Sequence, residues 1–145
     1  MPRSPLVKNL WAIALMYPVA VVWLADFVVS ALLGRNMALG SEWLVKLFQM
    51  AIAALPFVAL AICGEVLIGR GDRRATSGLR FAAICVGVAS LLLWGAFYWD
   101  VVVAWQSEGL SGANIGLGLL IVFSPILLSL IIPVAYLVGI KVAKE

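Results

Sequence analysis

Residues 117–140 read LGLLIVFSPILLSLIIPVAYLVGI, a run of 24 residues without a charged side chain. A helix that crosses the ~30 Å hydrocarbon core of a bilayer needs about 20 predominantly apolar residues, because each residue adds only about 1.5 Å. This run is therefore long enough to span a membrane. Three further runs of 24 to 26 residues, at positions 10–33, 43–68 and 81–105, are also predominantly apolar and contain only one or two charged residues each.

The composition of the whole chain agrees with these four runs. Of its 145 residues 65% are hydrophobic and only 12% are charged, with a mean hydropathy of +1.14. A soluble domain is about 45–50% apolar and about 25% charged, so these values exclude a soluble globular protein, a disordered chain and a nucleic-acid-binding module. Short connections at 34–42, 69–80 and 106–116 predict that neighbouring helices run antiparallel. We therefore expect an all-α integral membrane protein, with residues 1–145 forming one up-down bundle of four transmembrane helices.

The basic residues predict the orientation of this bundle, because Lys and Arg accumulate in cytoplasmic loops. In the four-span arrangement, eight of the ten lie on one side and only Arg35 and Lys46 on the other. Both termini are then cytoplasmic, as expected for a multi-pass protein of a bacterial-type plasma (inner) membrane. The basic loop between spans two and three would also attract anionic lipid. Its four cations are Arg70, Arg73, Arg74 and Arg80.

An alternative reading treats the N-terminus as a cleaved signal peptide. Arg3 and Lys8 would form its basic region, and residues 29–31 a weak cleavage site. The apolar run that follows has 24 residues, whereas the apolar region of a signal peptide has about 7–15. This length favours a retained transmembrane helix.

Residue types needed for common catalytic and metal chemistry are scarce. The chain has no His and only two Cys, and it contains no nucleotide-binding motif, metal-ligand cluster or Ser/His/Asp set. We expect no metal, no cofactor and no enzymatic activity. Cys63 and Cys85 fit best as small packing residues, because free Cys usually behaves as a buried hydrophobe.

Two acidic residues within the spans need a reason to be there, since a charge at the bilayer centre costs at least ~2.5–3.5 kcal/mol. Asp26 lies in span one and Asp100 in span three, both in the predicted outer half of the bilayer. Lys46 and Gln49 of span two lie in the same half. The four residues predict either a proton or cation site or a polar clasp that neutralises the acids, with assistance from Ser30 and Tyr98. Trp23 and Trp94 lie closer to the middle of their spans than interfacial anchors do.

Two functions of different classes follow from these observations. The short loops and the lack of catalytic residues favour a non-catalytic accessory or scaffold subunit of a larger membrane complex. Asp26 and Asp100 favour an oligomeric proton- or cation-coupled small transporter or channel. A single four-helix bundle has little room for an aqueous path, so the second function requires a homo-oligomer or larger assembly.

Overall fold

A computed structural model describes residues 4–33, 43–68, 73–107 and 115–142 of the chain. These ranges form four α-helices and contain no β-strand: α1 (Pro5–Leu33), α2 (Trp43–Ile68), α3 (Arg73–Ser107) and α4 (Ile115–Val142). Each helix is long and apolar enough to cross a membrane. The prediction of an all-α fold with four helices that could span a membrane is therefore confirmed for the described residues.

The helix bounds follow from local sequence signals. The bounds of α2 coincide with the predicted span, whereas α1 begins five residues before its predicted span. The Ser4 hydroxyl accepts a hydrogen bond from the Val7 amide at 3.3 Å, and Pro5 is the first helical residue. Ser before a helix and Pro at its first position are both favourable, because the first amides of a helix have no partner within it.

Helix α3 differs most from the prediction. It begins at Arg73 rather than Phe81 and contains 35 residues, which makes it about 52 Å long. Arg73, Arg74 and Arg80 were predicted to lie in a loop, and this prediction was wrong. Ala75 and Leu79 are buried one turn apart, so the segment has an apolar face for a helix to bury, while Arg74 and Arg80 are exposed. Arg70 lies outside the described residues.

The four helices pack as two pairs. The most extensive contacts join α1 to α2 and α3 to α4, and each contact between helices of different pairs is smaller. Within the described residues, α1 and α4 do not approach each other closely. We use "the seam" for the boundary between the α1–α2 pair and the α3–α4 pair.

Glycines allow the helices to approach closely within each pair. A Cβ atom on Gly78 of α3 would lie 2.7 Å from Cδ2 of Tyr136 in α4, and one on Gly64 of α2 would lie 2.9 Å from Cδ1 of Leu10 in α1. Small residues at such contacts let helix backbones pack closely, which matters in lipid because burial of apolar surface does not drive helix association there.

The core divides along the bundle. One end contains Glu65 and the other contains Lys46, and we refer to the Glu65 end and the Lys46 end. A large apolar cluster towards the Glu65 end includes Leu60, Leu79 and Val86, which are completely buried. A smaller cluster towards the Lys46 end centres on Trp94. The polar residues described next lie beside this smaller cluster.

Candidate functional site: a polar cavity at the Lys46 end

An ion pair links α1 to α2 at this end of the bundle. The Lys46 ammonium nitrogen lies 2.7 Å from Oδ2 of Asp26, within hydrogen-bonding distance. The side chains are only 11% and 21% exposed, respectively. Each charge is expensive to keep away from water, and a close partner of opposite sign offsets part of that cost. The pair therefore gives both residues a structural reason to lie within the spans.

Trp23 provides a second contact for Lys46. The ammonium nitrogen lies 5.4 Å from the centre of the Trp23 ring, a distance at which the negative face of the ring attracts a cation. This contact explains why Trp23 lies away from the usual interfacial position. Sequence reasoning did not connect the two residues, although helical spacing places Trp23 one turn before Asp26 on α1.

A hydrogen bond links α2 to α3 at a similar level. The Tyr98 hydroxyl donates to Oε1 of Gln49 at 3.2 Å. The Tyr98 ring also packs against Trp94 and Phe97, with ring centres 6.0 and 5.4 Å apart. The aromatic cluster orients the Tyr98 hydroxyl towards α2, and it accounts for the central position of Trp94.

These groups line a cavity of about 240 Å³ between α1, α2 and α3. A ligand there would meet a carboxylate, an ammonium group, an amide and a phenol, all bordered by apolar side chains. Such a wall can accept hydrogen bonds through Asp26 and donate them through Lys46, but it carries no net charge. The lining residues are Val22, Asp26, Val29, Val45, Lys46, Gln49, Phe97, Tyr98 and Val101.

Two of the predicted site residues do not line this cavity. Asp100 is half-buried on α3, two positions beyond Tyr98, and successive helical residues turn by about 100°, so the two side chains leave the helix in nearly opposite directions. Ser30 is half-buried on α1, one position beyond the cavity-lining Val29. The cavity thus brings together Asp26, Lys46, Gln49 and Tyr98.

Other polar and thiol groups occupy different places in the bundle. At the Glu65 end, the Trp11 indole nitrogen donates to Oε1 of Glu65 at 3.1 Å, which links α1 to α2 a second time. Cys63 and Cys85 are half-buried free thiols beside the large apolar cluster. Both cysteines belong to the packing of the bundle and lie apart from the polar cavity.

No protein-family model, curated protein or solved structure matches this chain.

Proposed function

We propose that this chain is a non-catalytic accessory or scaffold subunit that docks to a larger membrane complex through its helix faces. The main support for this proposal is the layer of buried apolar side chains beyond the polar cavity. Leu60, Leu79 and Val86 are completely buried towards the Glu65 end, where they fill the space between α2 and α3. A polar solute entering at the Lys46 end would meet this layer of buried apolar side chains, which is a barrier to ions.

The ion pair supports the same proposal. A proton or cation carrier needs a carboxylate that exchanges its partner during transport, whereas Asp26 is already neutralised by Lys46 at 2.7 Å. A pair of this kind can instead hold α1 and α2 in one register. Polar groups that couple neighbouring helices are common in membrane bundles.

The proposed topology is an up-down bundle in a bacterial-type inner membrane, with both termini in the cytoplasm. Two contacts support antiparallel α1 and α2. Trp11 near the start of α1 meets Glu65 near the end of α2, and Asp26 late in α1 meets Lys46 early in α2. The strong bias of Lys and Arg to one side supports the orientation.

Large apolar side chains on the outside of the bundle provide the surface for a partner. Phe27 on α1, Phe48 on α2 and Phe123 on α4 are all more than half exposed. In a bilayer such residues face either lipid or the helices of another subunit. A second copy of the chain or a larger complex could both bind there.

A second candidate function is retained because of the cavity itself. Its volume of about 240 Å³ and its lining by Asp26, Lys46 and Gln49 suit a small polar solute or a hydrated cation. In this alternative, an oligomer would supply the remaining path across the membrane. Asp26 would be the exchanging carboxylate.

Flux measurements separate the two candidates. We would reconstitute the wild type and Asp26→Asn in proteoliposomes and follow proton and monovalent-cation flux under an imposed gradient, with Gly118→Ala as a matched control. The subunit proposal expects flux no greater than in empty liposomes. Gradient-driven flux in the wild type and the control that disappears in Asp26→Asn would overturn it in favour of transport.

Crosslinking in native membranes tests the docking directly. A photoreactive residue would replace Met16 on α1 or Leu130 on α4, both strongly exposed. The subunit proposal expects a protein adduct of defined mass from at least one of these faces. Adducts with lipid alone from both positions would contradict it.

A further inference from the structure

An apolar groove opens between α1 and α3, on the seam. Its volume is about 290 Å³, and its lining comes only from these two helices. Gly95 forms part of its floor, and a Cβ atom built on this glycine would have no neighbour within 4 Å. The lining residues are Val21, Leu24, Ala25, Val28, Val29, Leu32, Leu91, Trp94, Gly95, Tyr98, Trp99 and Val102.

The dimensions of this lateral groove suit one hydrocarbon chain. It extends from Val21 to Leu32 along α1 and from Leu91 to Val102 along α3. Eleven helical steps correspond to about 16 Å, which is close to half of the ~30 Å hydrocarbon core. The groove therefore lies in one half of the hydrocarbon core, at the depth of the acyl chains of one leaflet.

The lateral groove and the polar cavity are neighbours. Val29 and Tyr98 line both of them, so these two side chains form the shared wall. The hydrogen bond from Tyr98 to Gln49 holds this wall on the cavity side. A molecule with an apolar chain and a polar head could therefore occupy both spaces at once, with its chain in the groove and its head in the cavity.

The charged residues of the cavity indicate which kind of polar head group would fit there. Asp26 and Lys46 line it together and neutralise each other, so a head with one net charge would leave the site charged in a poorly solvated place. A head that carries both an ammonium group and a phosphate can pair with both residues, and the site then stays neutral. Charge-assisted hydrogen bonds of this kind are about twice as strong as neutral ones.

We infer that the chain binds one zwitterionic aminophospholipid at the seam. One acyl chain lies in the lateral groove between α1 and α3. The ammonium group of the head faces Asp26, and its phosphate faces Lys46. This site goes beyond the proposed subunit role and holds whichever way the chain is oriented in the membrane.

Native mass spectrometry tests the acyl-chain part of the site. The purified wild type, Gly95→Leu and Gly118→Leu would be equilibrated with phosphatidylethanolamine in mixed micelles. Both glycines have open space at the Cβ position, but only Gly95 lines the groove. We expect one retained lipid in the wild type and in Gly118→Leu, and its loss in Gly95→Leu. Equal retention by all three proteins, or no retention by any, would overturn the inference.

The head-group part needs a separate comparison. Phosphatidylethanolamine and phosphatidylglycerol with the same acyl chains would compete for binding to the wild type and to the double variant Asp26→Asn/Lys46→Met. We expect the wild type to prefer the zwitterionic lipid by roughly tenfold, the effect of one charge-assisted hydrogen bond, and the double variant to show no preference. An identical ratio of the two bound lipids in both proteins would show that the ion pair does not discriminate between the head groups.

A third measurement uses the wild type alone, so it does not depend on the folding of any variant. Phosphatidylethanolamine with a photoreactive acyl chain would be crosslinked to the reconstituted protein, followed by peptide mapping. Adducts should concentrate in residues 21–32 and 91–102. An even distribution over all four helices would contradict a defined site.

Discussion

Gly139 of α4 packs directly against Gly78 of α3. A Cβ atom on Gly139 would lie 3.0 Å from the Cα atom of Gly78 and 2.7 Å from the Cβ atom of Phe81. Neither neighbour can move without moving the α3 backbone. The closest approach of the α3–α4 pair therefore depends on the missing side chain.

We expect Gly139→Ala to destabilise the bundle by about 1–3 kcal/mol, since overpacking of a tight contact costs this much. The free energy of unfolding in detergent micelles would measure it. Gly118→Ala on the same helix is the matched control, because its added methyl group meets nothing within 4 Å. The control should be neutral or gain up to about 1 kcal/mol from the better helix propensity of Ala. Similar losses in both variants would refute the close-contact explanation.

The Asp26–Lys46 pair should be strongly coupled. We expect Asp26→Asn and Lys46→Met each to cost about 3 kcal/mol, because each leaves a poorly solvated charge without its partner. The double variant should cost clearly less than the sum of the two. A double-mutant cycle of unfolding free energies measures the coupling. A coupling free energy smaller than about 0.5 kcal/mol would show that the two residues act independently.

The Tyr98–Gln49 hydrogen bond should contribute modestly to stability. We expect Tyr98→Phe to lower the unfolding free energy by about 0.6 kcal/mol, the average for an interhelical hydrogen bond in a membrane. Gln49→Leu should remove the same bond, so the double variant should cost no more than the larger single effect. Tyr98→Leu should cost more than Tyr98→Phe, because it also removes the ring contacts with Trp94 and Phe97. Equal costs for the two Tyr98 variants would mean that the ring cluster does not support the cavity wall.

Cysteine accessibility tests the proposed topology. In a Cys63→Ala/Cys85→Ala background, Ala38→Cys and Gly112→Cys should react with a membrane-impermeant maleimide from the periplasmic side. Arg74→Cys, at an exposed position early in α3, should react only after the membrane is permeabilised. The opposite pattern at all three positions would reverse the orientation.

Much of the fold can be predicted from hydropathy, because lipid requires long apolar helices whatever their neighbours are. The bounds of α2 match the apolar run from Trp43 to Ile68. The start of α3 does not match the predicted span, because the charges of Arg74 and Arg80 lower the hydropathy before position 81. The spacing of Ala75 and Leu79, which the bundle buries, carries the missing information.

The site was only partly predictable, for a different reason. The cost of a charge in lipid identifies Asp26 and Lys46 without knowledge of the fold. The direction of Asp100 depends on which face of α3 is buried. Around the site the bundle buries Ser90 and Trp94 of α3, whereas Ala89 is half-buried and Ala96 is exposed. Hydropathy cannot distinguish these faces, because both are apolar.

The division into two helix pairs has a consequence for assembly. The tight glycine contacts and the ion pair lie within the pairs, while the two pairs meet at the seam through the apolar clusters and the Tyr98–Gln49 hydrogen bond. A chain cut between residues 68 and 73 would keep the glycine contacts and the ion pair inside its two fragments. The fragments could then be inserted separately and would recombine in an equilibrium that depends on their concentration in the membrane. In this sense the protein resembles a covalently tethered heterodimer of helix pairs.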